Sequence, residues 1–238
     1  MAKKHEFCVD MHVHSMYSGE SAAEPRDIVE AALAKGLDAI CVTEHESLSG
    51  SAPFEDLRRS SSLIILRGVE LSTDAGHMLV YGVNDHEWRD WGRSKVCHAQ
   101  ELTDRVRRLG GVVVPAHPYV ISCSSGGAPF WWDPLIEVDE RVKSVRGIAA
   151  LEVCNGKHLN YPAICEALGR LAKGLGLPGT GGSDAHAAED VGRCFTVFHT
   201  PIHSGMDLVD AIRRGLLHPE NLIGVRYNGG RAAYISAR

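Results

Sequence analysis

A chain of 238 residues, 44% apolar and with a formal net charge of −5, can bury one sizeable core, and a single domain spanning residues 1–238 is expected. The acidic balance argues against a surface built for stable nucleic-acid binding, though not against a nucleotide as substrate. No apolar run approaches the ~20 residues of a membrane span, and Met1-Ala2-Lys3-Lys4-His5-Glu6 has no apolar signal core behind it, so a cytoplasmic protein with no membrane partner is expected.

Phe7-Cys8-Val9 reads as a buried strand that runs out into Asp10-Met11-His12-Val13-His14-Ser15. Side chains alternate across a strand, so His12 and His14 share one side, with a carboxylate two residues earlier. That pair is either a metal clip or two solvated histidines near an N-terminus. After a polar loop at 15–21, Pro25, Asp27 and Glu30 open a helix with Ile28, Val29, Ala32 and Leu33 on one side, and Gly36 stops it. Asp38-Ala39-Ile40-Cys41-Val42-Thr43 is the next strand and delivers Glu44-His45. This strand–helix–strand unit begins an α/β fold.

A short helix is expected over 53–60, then strands at Leu63–Leu66, continuing through Gly68-Val69-Glu70-Leu71, and at 76–82, which carries His77. Residues 87–108 predict a long helix closed by Gly110-Gly111, with Arg105, Arg107 and Arg108 on a solvated face. Val112-Val113-Val114-Pro115-Ala116 delivers His117-Pro118. The stretch from Tyr119 to Asp133, with Phe130-Trp131-Trp132, is loop-like; it is either functional or an aromatic plug over the rim of the fold. A helix over 133–143 precedes a strand that delivers Glu152. A second helix at 160–174 precedes Gly181-Gly182-Ser183-Asp184-Ala185-His186. A late strand at 194–198 and a late helix at 205–215 complete the reading.

The seven cysteines, at 8, 41, 97, 123, 154, 165 and 194, form no Cys-x-x-Cys pair. Cys8, Cys41 and Cys154 sit in apolar runs, where a free thiol behaves as a small hydrophobe. A reducing compartment fits, and no cysteine has an evident activating context.

Potential ligands therefore recur at the ends of strand-like runs: His12 and His14, Glu44 and His45, Glu70, His77, His117, Glu152, Asp184 and His186. Parallel strands alternating with helices would collect these ends on one face. Imidazole and carboxylate without thiolate suit Zn, Mn or Fe. There are more donors than one four-coordinate ion needs, so two or three ions sharing Glu70 as a bridge is the economical arrangement.

The set resembles the PHP family, the polymerase and histidinol phosphatase domain, whose members are metal-dependent phosphoesterases. The matching stretches are Asp10–Ser15, Tyr17-Ser18-Gly19-Glu20-Ser21, Thr43-Glu44-His45, Gly68-Val69-Glu70, Gly76-His77-Met78-Leu79, Ala116-His117-Pro118, Glu152-x-x-Asn155-Gly156 and Gly182–His186, and the likeness extends to about Phe198. The resemblance implies a distorted, TIM-like (β/α)7 barrel with a trinuclear site. His12, His14, Glu70 and Asp184 would hold the first metal. Glu70, His77 and His117 would hold the second, and Glu20, His45 and His186 the third. Family members commonly have Asp where this chain has Glu20, and Thr-Asp-His where it has Thr-Glu-His; Glu44 is expected to orient a ligand or to act as a helix-cap or surface carboxylate.

The expected reaction is hydrolysis of a small organic phosphate or nucleotide by a metal-bridging hydroxide, with no protein nucleophile. Asp184 and His186 are placed at the catalytic centre. Arg193 would pin a phosphate unless an ion pair with a nearby acid holds it. His158 or a metal-bound water are candidate general acids. Only residues 78–116 separate His77 from His117, too few for the nucleotide-pocket insertion of some family members. Recognition is therefore assigned to the loops at 119–133 and 156–160. The competing readings are a metal-dependent amidohydrolase or deacetylase, since the same hydroxide attacks a carbonyl, and a non-catalytic metal-binding module.

Overall fold

The structure, a computed structural model, describes residues 6–84, 86, 97–118, 140–158, 162–221, 225–228 and 231–234. The chain opens with β1 (Phe7–Val13), α1 (Pro25–Ala34), β2 (Ala39–Val42), α2 (Phe54–Ser60) and β3 (Ile64–Thr73), and β1, β2 and β3 pair in parallel. Pro25 begins α1, where a missing N–H costs nothing, and Gly36 follows it at φ 73°, a left-handed conformation that suits glycine. The helix buries Ile28, Val29 and Ala32 against Val13, Ile40, Val42 and Ile65. Leu33, expected on the same side, is exposed instead. It lies at the margin of the stripe, one residue past the turn that faces the sheet.

β3 does not cross over to another parallel strand. It folds back into β4 (Gly76–Tyr81) as an antiparallel hairpin, with Ser72 opposite His77 and Thr73 opposite Gly76. His77 therefore stands at the start of its strand, not at the end. Reversal of direction brings that start to the edge where β1 and β2 finish. The helix expected over 87–108 is seen as α3 (Ala99–Arg108), with 87–96 outside the described residues. Its beginning is set by Asp74 in the hairpin turn, whose carboxylate accepts the Ala99 N–H at 2.8 Å. β5 (Val112–Pro115) pairs antiparallel with β4 and so runs parallel to β3, delivering His117 to the same edge.

β6 (Leu151–Asn155) and β7 (Gly179–Gly182) form their own parallel pair, joined through α4 (Pro162–Gly174). The helix expected over 133–143 is helical at 140–144 among the described residues. β8 (Cys194–Phe198) runs antiparallel to β1, and after α5 (Gly205–Arg213) a strand that was not anticipated, β9 (Leu217–Asn221), pairs with β8. Pro219 hides β9 from a propensity reading, because proline cannot donate to a ladder. It is tolerated here because β9 lies at the end of the sheet order β5-β4-β3-β2-β1-β8-β9. A last hairpin pairs β10 (Val225–Asn228) with β11 (Arg231–Tyr234).

The architecture is α/β, a mixed sheet curled into a half-barrel. Curling brings the end of β7 against the end of β1. The Asp184 N–H donates to the His12 carbonyl at 2.8 Å, and the His14 N–H to the Ala185 carbonyl at 3.1 Å. Gly182 makes this approach possible, since a Cβ there would lie 2.4 Å from the His12 Cβ. No helix of the described residues is long and apolar enough to cross a membrane.

Candidate metal centre

The strand ends converge on one carboxylate. Glu70, fully buried in the second half of β3, has five imidazoles around it: His77 Nδ1 and His117 Nε2 at 2.9 Å from Oε1, and His14 Nε2 at 3.1 Å, His12 Nε2 at 3.2 Å and His45 Nδ1 at 3.2 Å from Oε2. Burial alone would raise its pKa. The surrounding imidazoles, His12 first, outweigh that and hold it well below the ordinary carboxylate range. Each carboxylate oxygen thus serves a different group of histidines, the arrangement expected of a bridging ligand.

Asp184 sits opposite, almost fully buried, and its two oxygens also divide. Oδ1 lies 3.5 Å from His14 Nε2 and from His186 Nδ1, and 3.7 Å from His12 Nε2. Oδ2 faces Lys157 Nζ at 3.0 Å and the Asn155 side-chain amide at 3.4 Å. Three groupings of metal-ligating type follow: His14, His45 and His186; His12, His14 and Asp184; and His12, Glu70 and His117. Glu20 lies at the open edge of the first group, its Oε2 3.8 Å from His45 Nε2 and 3.7 Å from His186 Nε2, with the side chain 69% exposed. The residues expected of the third ion are thus brought together, with His14 nearer to His45 and His186 than the sequence suggested.

Hydrogen bonds behind the histidines show what the donor set is prepared for. Glu152 Oε1 accepts from His12 Nδ1 at 3.1 Å. Ser18 Oγ donates to Glu44 Oε2, so its lone pair is left to accept from His14 Nδ1 at 3.0 Å. The backbone carbonyl of Asp184 accepts from His186 Nδ1 at 3.0 Å. In these three rings the partner behind the ring favours a proton on Nδ1 and turns Nε2 toward the cluster. His14 is held neutral, its pKa pushed down to about 3 chiefly by burial, whereas at His12 the charges of Glu70, Glu152 and Asp184 outweigh burial and raise the pKa well above the usual range. His12 Nε2 and His14 Nε2 are only 2.9 Å apart, and two lone pairs at that distance repel unless a cation or shared proton lies at them. The residues present fit divalent ions of the borderline type, by donor chemistry and by orientation.

The backbone is strained to make this geometry. Among the described residues three non-glycine positions have positive φ, and two are candidate ligands, His117 at 27° and Asp184 at 52°; the third is Glu46 at 55°. Glu44 is buried and accepts from Ser15 and Ser18 hydroxyls, so it orients His14 through Ser18 and does not serve as a surface carboxylate. Glu152, expected at a strand end, stands near the start of β6, which begins only at Leu151, and it has more to do than that expectation implied. It orients His12, and its other oxygen accepts the His117 N–H at 2.7 Å. Only the tertiary fold reveals this, because His12 and Glu152 are 140 residues apart in sequence.

Arg193 is not brought to the cluster. Its guanidinium closes on Asp190 at 2.7 Å, three residues back, and its charge bears on Lys35, whose ammonium is tied to the Glu189 and Val191 carbonyls. The ion pair weighed against phosphate binding is what forms, because the turn after Asp190 points the side chain back along the chain. Among the described residues Lys157 does reach the cluster, its Nζ 3.0 Å from Asp184 Oδ2, and Arg141 lines the cleft beside His77 and His117. The His158 imidazole and the loop at 119–133 lie outside the described residues. Burial pushes the Cys8 thiol up to about 12 and the Cys97 thiol up to about 11, and Cys41, Cys154 and Cys194 are also raised, so none is an activated nucleophile.

The length of Glu20 sets an expectation. Its carboxylate already stands within 4 Å of both histidines and is not packed in place. Glu20→Asp should therefore retain turnover at saturating metal and change mainly the metal concentration needed, read by titrating the two proteins with Mn or Zn. A Glu20→Asp protein that stays inactive at every metal concentration would contradict this.

A family model described as the PHP domain matches residues 10–109, and another described as PHP-associated matches residues 166–216. A probable phosphatase of Photobacterium profundum is 29% identical over 215 residues, covering 79% of this chain and 81% of that protein. Among solved structures, PsfC of Pseudomonas syringae aligns with a TM-score of 0.65 at 19% identity, covering 91% of each chain. A Bifidobacterium adolescentis protein described as a candidate metal-dependent phosphoesterase aligns with a TM-score of 0.58 at 19% identity, over 76% of this chain and 88% of that one. At these identities the structural likeness shows the fold.

Proposed function

The chain belongs to the PHP domain family, and we infer that it is a metal-dependent phosphoesterase acting on a small phosphorylated substrate. One observation carries the reading: Nε2 of His12 and of His14 faces the buried, doubly shared Glu70 carboxylate, with the opposite nitrogen of each ring anchored from behind. His12, His14, Glu70 and Asp184 would hold one ion. Glu70, His77 and His117 would hold a second, and Glu20, His45 and His186 a third. Divalent ions in such a site lower the pKa of water toward neutrality and offset charge on phosphoryl oxygens.

The protein's own part is positional. Glu152, Ser18 and the Asp184 carbonyl fix ring tautomers, so no reorientation is needed when substrate arrives. Glu70 keeps net negative charge at the centre of five imidazoles. Among the described residues at the cluster, Glu20 and Lys157 are strongly exposed, and an ester would enter beside them. The raised thiols agree with a reaction that uses no protein nucleophile.

A substrate panel on metal-loaded protein tests this. Aryl phosphates and nucleoside monophosphates should be hydrolysed, with aryl acetates and N-acetyl amides turned over far more slowly. Faster turnover of the acetyl compounds would move the assignment to an amidohydrolase. Full metal content with no turnover of any class would support the non-catalytic module.

A further inference from the structure

We propose that Lys157 is the phosphate anchor of the site, binding the phosphoryl oxygens of the substrate from the open rim. The proposal rests on the phosphoesterase reading. It starts from the turn that carries the residue. Asn155 ends β6, and its Oδ1 accepts the Lys157 N–H at 2.9 Å. The same side chain donates through Nδ2 to Glu152 Oε2 at 3.0 Å and approaches Asp184 Oδ2 at 3.4 Å, so the turn is clamped to two buried carboxylates of the centre. Gly156, between them, presses onto the end of β7, and a Cβ there would stand 2.2 Å from the Ser183 carbonyl oxygen. A larger residue would lift the turn, and Lys157 with it, off the cluster.

The ammonium held by this turn lies 3.0 Å from Asp184 Oδ2, while the side chain is 49% exposed. It therefore reaches from solvent to the cluster, unlike a lysine lying on an outer surface. Asp184 Oδ1, on the other side, faces His12, His14 and His186 and is available to an ion, while Oδ2 also lies 3.9 Å from His117 Nε2. Lys157 can thus keep its contact with Oδ2 while Oδ1 is engaged. A lysine ammonium carries three donors; one is taken by Asp184, which leaves donors for an anion at the open side. Arg193, the cation expected from sequence to hold phosphate, is committed to Asp190. The alternative is a simple counter-ion for Asp184 with no role toward substrate, and the two roles differ in what they predict.

The experiment uses metal-loaded full-length protein, wild type and Lys157→Ala, with Lys157→Arg as the conservative control. Three quantities are read: metal content by elemental analysis, affinity for inorganic phosphate by calorimetry, and the separate KM and kcat on an aryl phosphate. The anchor role expects Lys157→Ala to keep its metal, bind inorganic phosphate roughly tenfold or more weakly, and show its loss mainly in KM. Lys157→Arg should recover most of the phosphate affinity. Unchanged phosphate affinity in Lys157→Ala, while wild type hydrolyses the ester, overturns the anchor and leaves the phosphoesterase reading standing. A fall in metal content that tracks the loss of activity also overturns it, and assigns Lys157 to holding Asp184. Metal-loaded wild type that neither binds phosphate nor hydrolyses any ester overturns both.

Discussion

Glu70→Ala should lower kcat/KM on an aryl phosphate by roughly a thousandfold or more, equivalent to about 4 kcal/mol of transition-state stabilisation. The reason is the sharing seen at this side chain. His77 and His117 meet one oxygen at 2.9 Å, and His12, His14 and His45 meet the other at 3.1–3.2 Å. Removing the carboxylate deprives two ion positions of a ligand at once. It also leaves five imidazoles without the buried negative charge that compensates any cation beside them. Glu70→Gln keeps the volume and removes only the charge, so it separates packing from electrostatics and should fall almost as far. Steady-state kinetics with metal analysis checks both. His12→Ala and Asp184→Ala should follow the same pattern, since each side chain faces the same centre. Turnover within tenfold of wild type at full metal content would remove Glu70 from the bridging role.

Removing metal should also be severe. Purified protein is expected to carry about two to three equivalents of Mn, Fe or Zn, given three groupings of ligating side chains. Dialysis against a chelator should lower turnover by roughly a hundredfold or more, and added Mn or Zn should restore it. Stability should move in the same direction, because an ion that binds only the folded chain adds RT ln(1 + [L]/Kd) to the unfolding free energy. The effect has a local cause in the facing nitrogens of His12 and His14, 2.9 Å apart, which an ion would bind together. Thermal melting before and after chelation reads this without reference to activity. Less than one equivalent of metal, with no activity gained on adding Mn or Zn, would end the metalloenzyme reading.

The residues themselves carried much of this, and the part they carried is local. β1, β2 and β5 announce themselves as short apolar runs, each with a histidine within three residues of its end, because a strand must bury its middle while its end faces the site. Alternation along β1 put His12 and His14 on one side before any fold was known, and both are buried in the cluster. Spacing also marked α1, α2, α4 and α5, although Leu33 shows that a helical stripe read from sequence is one residue too generous.

What sequence could not settle depends on contacts between distant segments. The direction of β4 is one case. An apolar run reads the same up or down, and the two-residue turn at Asp74-Ala75 made it a hairpin, putting His77 at a strand start. Pro219 concealed β9 because an edge position, not propensity, makes that strand possible. Arg193, the cation expected to bind phosphate, is not at the cluster, while Lys157, not singled out from sequence, is. Charge type is visible in sequence, but the direction of a long side chain follows from the turn that bears it. Arg193 is taken by Asp190 three residues away, and Lys157 is carried to Asp184 by the Asn155–Gly156 turn. The Glu152 contact to His12 spans 140 residues. The sequence by itself determined which side chains stand on or beside strands as candidate ligands, because burial and alternation are local properties. The tertiary structure alone decided which nitrogen of each histidine faces inward and which cation joins them, because those depend on partners that only the closed sheet brings within hydrogen-bond reach.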